Sequence, residues 1–347
     1  MKVMITGAFG NVGVSTVEHL VKQGHDVRCF DVRTKANEKM AHRFRGKVDV
    51  AWGDLRHYAA VAAAVQDRDV VIHLAFIIPK LSITGIGSED SPAWARSINV
   101  GGTQNLIAAI KAQPAPPKII FSSSLHVYGR TQDRLTLRTV DDPVQATDHY
   151  TQHKLECEEM IRSSGLQWAI LRFAAVLPLS LRLDPGLFDV PLNNRIEFVH
   201  TRDVGYACAM AAVSQDVWGK TLLIGGGRRC QFYFRDMAER LLNAMGVGML
   251  PEDAYSTVPF CTDWLDTAES QRLLHYQRDD FDDYVRDLKA LLGYRRYLVW
   301  LFRPIVRQSL LRESPFYRRS HPAWARLSLM VSWIARGFRP APAGIEA

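Results

Sequence analysis

The chain has 347 residues, of which 47% are hydrophobic and 23% are charged, and its formal net charge is +7 at neutral pH. This length suits one large α/β unit with a smaller lobe, and the hydrophobic content is enough for a globular core. The five cysteines lack C-x-x-C spacing, which argues against a disulfide framework or a metal site. No targeting segment is evident, so we expect a cytoplasmic protein. The cysteines are Cys29, Cys157, Cys208, Cys230 and Cys261.

The first segment predicts a nucleotide-binding turn. Residues 2–5 have the apolar composition of a buried strand, and residues 14–21 have helical spacing. A glycine-rich turn between a strand and a helix is the context of a dinucleotide-binding fingerprint. Glycine lets the backbone approach a pyrophosphate, and the helix N-terminus favours its negative charge. The candidate residues of this turn are Gly7, Phe9, Gly10, Asn11, Val12 and Gly13.

A second strand is predicted at residues 25–30, and Asp31 follows directly. A carboxylate at this strand end can accept hydrogen bonds from an adenosine ribose and would repel a 2′-phosphate. Asp31 therefore favours NAD over NADP. Arg33 and Lys35 lie close by and keep NADP open as the less favoured cofactor.

Later hydroxyl and ammonium groups predict acid–base chemistry. Ser122 and Ser124 follow an apolar strand at residues 119–121, and open α/β sheets bind ligands at such strand ends. Tyr150 and Lys154 are four residues apart, so they share one face of a predicted helix. A nearby ammonium lowers a phenol's pKa from its usual value of about 10. Tyr150 is therefore predicted to exchange a proton near neutral pH.

Seven segments, in order, resemble the extended short-chain dehydrogenase/reductases, also called the NAD-dependent epimerase/dehydratase family. The resemblance covers residues 1–245 and implies an α/β fold with a doubly wound parallel (Rossmann) sheet and a small C-terminal substrate lobe. It also implies NAD as cofactor and a small-molecule substrate. The segments are residues 6–13, 53–56, 73–75, 99–103, 121–129, the pair 150 and 154, and 198–204.

The resemblance also implies individual roles. Ser124 would hydrogen-bond the substrate oxygen, Tyr150 would carry the proton, and Lys154 would hold the nicotinamide ribose. Besides the glycine turn, Asp31, Tyr150 and Lys154, the implied cofactor contacts are Asp54, Leu55, Leu74, Ala75, Asn99 and Ser122. Besides Ser124, the implied substrate contacts are Ile77, His126, Phe173 and Arg195.

The expected domain organisation follows from the same resemblance. We expect a nucleotide-binding domain at residues 1–175, with its sheet completed by parts of 196–225. A mainly substrate-binding lobe is expected at 176–288, followed by a basic helical tail at 289–347. Within the lobe, the pattern predicts a strand at 221–224 and helices at 235–245 and 266–292.

Departures from the family pattern concern the substrate. Residues 124–126 read Ser-Leu-His where the family's nucleotide-sugar dehydratases have Thr-Asp-Glu, which disfavours a 4,6-dehydratase. Ala175 and Ile196 stand where similar epimerases have an Asn and an Arg that reaches the diphosphate. A buried diphosphate without charge-assisted donors is costly. Three arginines could substitute as donors: Arg172, Arg182 and Arg195.

These features favour a dehydrogenase or reductase that acts on a secondary alcohol or ketone of a lipophilic or otherwise non-nucleotide substrate. The apolar residues 176–188 would suit such a substrate, although core packing explains them equally well. Two alternatives remain open: a nucleotide-sugar epimerase that retains NAD, and an NAD-binding sensor or scaffold without turnover. The resemblance also implies a homodimer formed by helices near 91–112 and 148–163.

The tail differs in charge from the rest of the chain. Residues 289–347 contain eleven basic residues against two acidic ones, so the basic character resides there. The apolar runs at 297–302 and 327–335 are too short to span a bilayer. Basic residues interleaved with aromatic ones are typical of an interfacial helix, so we expect contact with an anionic membrane surface. Packing on the catalytic lobe or in an oligomer interface is the alternative, and nucleic-acid binding is not expected. The tail's tryptophans are Trp300, Trp324 and Trp333.

Overall fold

The computed structural model describes residues 1–79, 85–180 and 183–321. The strands in these residues are β1 Lys2–Thr6, β2 Asp26–Asp31, β3 Asp49–Trp52, β4 Val70–His73, β5 Lys118–Ser124, β6 Trp168–Phe173, β7 Arg195–Glu197, β8 Lys220–Ile224 and β9 Gln231–Tyr233. The helices are α1 Asn11–Lys22, α2 Lys35–His42, α3 Tyr58–Val65, α4 Pro92–Arg96, α5 Gly102–Lys111, α6 His149–Arg162, α7 Thr201–Val213, α8 Phe234–Ala244, α9 Ala268–Leu274, α10 Phe281–Leu292, α11 Arg295–Leu301, α12 Arg303–Glu313 and α13 Pro315–Ser320.

The main sheet is parallel throughout the described residues, with the strand order β3-β2-β1-β4-β5-β6-β8. The chain moves outward from β1 through β2 and β3 and then returns to β4 on the other side. Ligands of open α/β sheets bind outside the carboxyl ends of the strands at this reversal. The predicted doubly wound Rossmann sheet is confirmed, and the reversal fixes where a cofactor would bind.

Both faces of the sheet are covered, which explains why its strands are almost continuously apolar. Val3 and Ile5 of β1 point into one core cluster, and Met4 between them points into the other. Helices α1 and α7 pack together on the first face, while α3 and α5 pack together on the second. Side chains alternate between faces with a period of two, so a single short strand contributes to both cores.

The predicted helix at 266–292 is wrong, because the structure has two helices with an extended segment between them. His275 ends α9 in the left-handed conformation, with φ of 50°. The buried Tyr276 hydroxyl then donates to the carbonyl of Gly225 at 2.8 Å and accepts from its N–H at 3.0 Å. Asp280 caps the start of α10. The bonds between Tyr276 and the end of β8 hold the chain out of helical geometry.

The C-terminal lobe contains the β7–β9 pair, and the strand and helix predicted at 221–224 and 235–245 match β8 and α8. The predicted boundary at residue 289 falls inside α10, which runs to Leu292. Leu311 of α12 is buried in the same cluster as Leu288 and Leu292, so α12 packs on the lobe. Trp324, Trp333 and the apolar run 327–335 lie outside the described residues.

A buried ion cluster joins the nucleotide-binding domain to the lobe. Asp263 lies between two arginines, at 3.3 Å from Arg138 Nε and 2.7 Å from Arg195 Nε. The backbone of Arg138 also donates to the Trp264 carbonyl and accepts from the Asp266 N–H, each at 2.8 Å. These contacts fix the loop that follows β5 against residues 263–266 of the lobe.

Candidate active site

The glycine turn between β1 and α1 lies at the carboxyl edge of the sheet. Gly7 has φ of +66°, a conformation that favours glycine, and a Cβ there would lie 2.8 Å from the backbone of Ala75. A Cβ on Gly13 would lie 2.1 Å from the Gly7 carbonyl oxygen. Both positions therefore exclude a side chain, and the turn is drawn tightly against Leu74 and Ala75 after β4.

The N-terminus of α1 can receive an anion. Gly10 occupies its N-cap position, and no side chain among the described residues caps the helix there. Unpaired N–H groups in the first helical turn, which contains Asn11, Val12 and Gly13, form a site of positive potential. Nearby, Asp31 accepts a hydrogen bond from the Phe9 N–H at 3.0 Å, and burial raises the pKa of Asp31. The residues predicted for the pyrophosphate and the ribose thus lie together.

The predicted adenine-side residues follow β3. The Asp54 carboxylate is bound by the Arg56 guanidinium, with the shortest contact at 2.7 Å, so it is already partnered. Leu55 is buried, and its carbonyl accepts from Asn105 Nδ2 at 2.9 Å. These contacts hold the loop after β3 near α5, while an adenine contact by Asp54 stays a prediction.

Asn99 positions the loop that follows β4. It lies in a π-helical turn, Ser97–Gly101, between α4 and α5. Its Oδ1 accepts from the Ile77 N–H at 2.7 Å, and its Nδ2 donates to the Ile77 carbonyl at 3.0 Å. Both ends of the amide are therefore occupied by backbone. This arrangement gives Asn99 a positioning role for Ile77 and its neighbours.

A buried histidine ties the sheet to α5. His73 Nδ1 lies 2.7 Å from Thr6 Oγ1, and its Nε2 lies 3.0 Å from Thr103 Oγ1. Burial lowers the pKa of His73 to about 3, so its imidazole is neutral. Thr6 Oγ1 also accepts from the Ala75 N–H at 3.2 Å. The bridge fixes the ends of β1 and β4, which form the floor beneath the glycine turn.

Ser124 and Tyr150 meet at the end of β5. Ser124 is the last residue of that strand, and its Oγ accepts from the His126 N–H at 3.2 Å. The Ser124 hydroxyl is near enough to the Tyr150 hydroxyl to lower the pKa of Tyr150, against the larger effect of burial. Tyr150 is the second residue of α6, and Asp148 caps the N-terminus of this helix. Glu89 also accepts from the Tyr150 N–H at 3.1 Å. These contacts fix the orientation of the helix that carries Tyr150 and Lys154.

Lys154 lies one turn further along α6 and is buried. Its Nζ donates to the Ser122 carbonyl at 2.6 Å and lies 3.5 Å from the centre of the Phe76 ring. Burial lowers the pKa of Lys154 to about 7. Ser122 Oγ in turn donates to the His73 carbonyl at 3.1 Å. The structure therefore brings Ser122, Ser124, Tyr150 and Lys154 together.

The prediction that Lys154 lowers the pKa of Tyr150 is wrong. Burial raises the pKa of Tyr150 well above its ordinary value, and only the nearby Ser124 side chain opposes that rise. Lys154 does not lower the pKa of Tyr150 because its Nζ is directed at the Ser122 carbonyl, 5.7 Å from the Tyr150 ring centre. The resting form of Tyr150 is the phenol, which is a proton donor.

Cys261 is a site residue that the sequence did not reveal. His126 stacks edge-on to Tyr150 and to Phe260, with ring centres 6.1 and 5.3 Å apart, and, against the effect of burial, the charge of the nearby Cys261 thiolate raises the pKa of His126. Burial alone would raise the pKa of the Cys261 thiol, but His126 holds it below its usual value. Burial raises the pKa of each of the other four cysteines, Cys29, Cys157, Cys208 and Cys230. The pair is brought together by a lobe segment far along the chain, which no local motif signals.

The substrate side is mostly aromatic and apolar. Phe173 ends β6 directly beside Ser124 in the strand register. The rings of Phe76 and Tyr150 meet edge to face, with their centres 5.8 Å apart. Ile77 is buried behind this surface. A substrate that approaches Tyr150 and Ser124 would therefore contact mainly carbon.

The two described arginines that could replace a missing diphosphate ligand are engaged elsewhere. The Arg195 guanidinium binds Asp263 and the carbonyls of Thr131 and Arg134. The Arg172 guanidinium binds Glu158 at 2.9 and 2.7 Å and the Tyr128 hydroxyl at 2.8 Å. Arg195 thus takes part in a buried structural cluster, and its role as a substrate contact stays a prediction. Arg182 lies outside the described residues.

Metal ligation is not evident in the part of the chain that the structure describes, where no group of three or more His, Cys, Asp and Glu side chains could hold an ion. The groups that the structure brings together near the carboxyl edge of the sheet are the phenol, hydroxyl, ammonium and imidazole–thiol groups described above.

Comparison with known proteins extends these observations. The model of the NAD dependent epimerase/dehydratase family matches residues 3–181. A 3-beta-hydroxysteroid dehydrogenase from Mycolicibacterium neoaurum is 30% identical over 161 residues, which are 46% of this chain and 42% of the relative. UDP-glucose 4-epimerase 2 from Arabidopsis thaliana is 26% identical over 259 residues, 70% of this chain and 71% of the relative. The match to the hydroxysteroid dehydrogenase thus spans less than half of that relative's length.

Solved structures share the fold at low identity. A short-chain dehydrogenase/reductase superfamily protein from Agrobacterium tumefaciens, solved with bound NAD, has a TM-score of 0.67 at 20% identity and covers 87% of this chain and 100% of its own. UDP-glucose 4-epimerase from Bifidobacterium longum, solved with NAD+ and UDP, has a TM-score of 0.69 at 20% identity. It covers 84% of this chain and 98% of its own.

Proposed function

The chain belongs to the NAD dependent epimerase/dehydratase family, and from this premise we propose that it transfers a hydride between NAD and the carbon of a secondary alcohol or ketone. One observation carries the proposal: Ser124 lies near enough to the Tyr150 hydroxyl to lower its pKa against the larger effect of burial, with Lys154 one helical turn away, at the edge of the sheet that bears the glycine turn. A proton donor, a hydroxyl partner and a nucleotide cradle are the parts that such a reaction requires.

The residues at the glycine turn fit NAD. A dinucleotide's pyrophosphate suits the exposed first turn of α1 and the close approach that Gly7 and Gly13 allow. Asp31 stands where a ribose diol could donate hydrogen bonds to its carboxylate. Arg33, which could have favoured NADP, pairs with Glu38 at 2.8 Å. These contacts support NAD as the preferred cofactor.

Side chains of the protein donate and accept the proton in the proposed reaction. NAD supplies or accepts the hydride when it is bound. In reduction, the Tyr150 phenol donates its proton to the ketone oxygen, while the Ser124 hydroxyl bonds the same oxygen. In oxidation, the Tyr150 phenol must first lose its proton to solvent, and the resulting phenolate then takes the proton from the alcohol. The buried Lys154 ammonium, with a pKa of about 7, can carry positive charge near the phenolate that results.

The cleft favours a lipophilic, non-nucleotide substrate. Phe76, Phe173 and Phe260 lie around Tyr150, Ser124 and His126, and the guanidiniums of Arg172 and Arg195 are already engaged. A diphosphate would be buried there without charge-assisted donors from either arginine, at considerable cost. The similarity to a hydroxysteroid dehydrogenase over 46% of this chain supports the same substrate class.

A nucleotide-sugar epimerase is the second candidate, because the epimerase relative covers 70% of this chain. In that reaction the hydride leaves the sugar and returns to its other face while NAD stays bound. Turnover on a panel of 3-beta-hydroxysteroids and UDP-hexoses would separate the two. We expect a steroid ketone together with NADH. An inverted sugar without free NADH would instead favour the epimerase, and NAD binding with no turnover on any compound would favour a sensor.

The cofactor proposal predicts a specific effect at Asp31. Asp31→Ala should narrow the ratio of NAD to NADP affinity by about tenfold, because it removes both the ribose acceptor and the repulsion of a 2′-phosphate. Titration of both nucleotides measures the ratio. Asp26→Ala, at the opposite end of the same strand, is the matched control. An unchanged ratio in the Asp31 variant would assign discrimination to other residues.

Two proposed partners concern surfaces outside the cleft. The family resemblance suggests a homodimer through α5 and α6, which sedimentation velocity would reveal as a dimeric mass. Contact between the basic C-terminal region and a membrane surface is the second, and it rests on exposed side chains of α11 and α12.

A further inference from the structure

Large apolar side chains are exposed together at the end of the described chain. Seven apolar or aromatic residues between positions 294 and 305, in and around α11 and at the start of α12, each expose between 47% and 71% of their surface. We name them the docking face: Tyr294, Tyr297, Leu298, Trp300, Leu301, Phe302 and Ile305. Single exposed apolar residues are common, but a contiguous group this large usually marks an interaction site.

The docking face belongs to helices that are anchored on their other side. Val299 and Val306 pack against the core of the lobe. Arg303 Nε donates to the Val247 carbonyl at 2.7 Å, and Arg307 Nη1 donates to the Gly248 carbonyl at 3.1 Å. The Ser314 hydroxyl donates to the Ala254 carbonyl at 2.6 Å. The apolar residues are therefore held outward by specific contacts made by their neighbours.

The chemistry of the docking face matches a lipid–water boundary. Tyr and Trp combine an apolar ring with a polar group, and they are enriched at the level of lipid headgroups. Residues 289–321 contain eight Lys and Arg and a single acidic residue, Glu313. Arg295 and Arg303 are exposed within the same stretch as the apolar side chains. Apolar insertion with basic residues around it is the pattern of an interfacial helix.

We propose that the docking face binds the surface of an anionic lipid bilayer. The insertion would be shallow, since no helix among the described residues is long and apolar enough to cross a bilayer. A second copy of the chain fits less well, because pairing two such faces would bring their arginines together with little acidic charge to oppose them. The proposal does not depend on the catalytic activity.

Co-sedimentation of the full chain with vesicles tests the proposal. One set of vesicles is phosphatidylcholine alone, and the other is an equal mixture of phosphatidylcholine and phosphatidylglycerol. We expect binding to the mixed vesicles that weakens as salt is raised. Trp300→Ser with Leu301→Ser should lower this binding at least roughly tenfold, because each side chain loses a favourable transfer into the interface.

A matched double variant removes exposed apolar side chains elsewhere: Leu135→Ser with Val258→Ser, at positions that are 93% and 51% exposed. It should bind as the wild type does, and thermal unfolding should confirm that both double variants are folded. Equal binding of the Trp300/Leu301 variant and the wild type would overturn the proposal, as would equal binding to neutral and mixed vesicles. A dimer that dissociates in that variant, with no vesicle binding by either protein, would assign the face to a second copy.

Discussion

The nucleotide-binding domain and the C-terminal lobe organise their residues in opposite ways. In the first, the functional groups come from short segments at the strand ends, such as the glycine turn after β1 and the serines that end β5. In the lobe, stability depends on buried polar contacts between distant residues, such as Asp263 with Arg138 and Tyr276 with Gly225. Most of the candidate catalytic groups therefore come from local motifs, whereas the contacts between the domain and the lobe come from long-range pairs.

The largest effect on turnover should come from removal of the Tyr150 hydroxyl. Tyr150→Phe should lower turnover by about 10²- to 10⁴-fold, because it removes the proton donor and keeps the ring. Cofactor affinity and thermal stability should change little. Steady-state kinetics measures turnover, nucleotide titration measures affinity, and thermal unfolding measures stability. Tyr58→Phe, at an exposed helix position, is the control. Undiminished turnover would assign the proton to another residue, with His126 the nearest candidate.

Within the lobe, the largest loss of stability should come from substitution of Asp263. Asp263→Ala should destabilise the protein by about 3–5 kcal/mol, because Arg138 and Arg195 would be left buried without their shared carboxylate. Denaturant unfolding followed by circular dichroism measures this loss. Asp266→Ala removes a nearby exposed carboxylate and should cost far less. Similar losses in the two variants would refute the view that the cluster joins domain and lobe.

The glycine turn should show a smaller loss of stability together with a loss of cofactor binding. Gly13→Ala should destabilise the fold by about 1–3 kcal/mol, because the new methyl would meet the Gly7 carbonyl. NAD affinity should fall with it, as titration would reveal. Gly101→Ala is the matched control, since a Cβ there meets nothing within 4 Å. Unchanged affinity in Gly13→Ala would argue that the nucleotide binds elsewhere.

The smallest effect is a dependence of stability on pH. Between pH about 7 and about 10.5, the unfolded chain holds a proton on Lys154 that the folded chain lacks, so the contribution of Lys154 to stability should rise with pH. The slope is at most about 1.4 kcal/mol per pH unit. Lys154→Met should remove this component, and exposed Lys111→Met should retain it. Parallel profiles for wild type and Lys154→Met would contradict the lowered pKa.

These contrasts explain how much could be predicted from the sequence. The sheet, the glycine turn and the group of Ser124, Tyr150 and Lys154 were predictable because their signals are local in spacing or order. The break between α9 and α10 was not, because Tyr276 bonds to Gly225 across the fold. The engagement of Arg195 by Asp263 and the pairing of His126 with Cys261 also arise from chain segments that meet only after folding.

The prediction of the pKa of Tyr150 failed for a different reason. Spacing correctly predicted that Lys154 shares a helix with Tyr150, but spacing does not reveal burial or the direction of a side chain. In the folded protein, desolvation raises the pKa of Tyr150, and the Lys154 ammonium is directed at the Ser122 carbonyl. The magnitude of such effects depends on the surrounding dielectric, which only the structure supplies.

A crystal structure of the protein grown with NAD would test the central claim most directly. The account predicts the pyrophosphate at the glycine turn and the N-terminus of α1, the adenosine ribose at Asp31, and the nicotinamide ring beside Tyr150 and Ser124. Lys154 should then contact the nicotinamide ribose. A nucleotide bound away from the carboxyl edge of the sheet, or a nicotinamide remote from Tyr150, would contradict it.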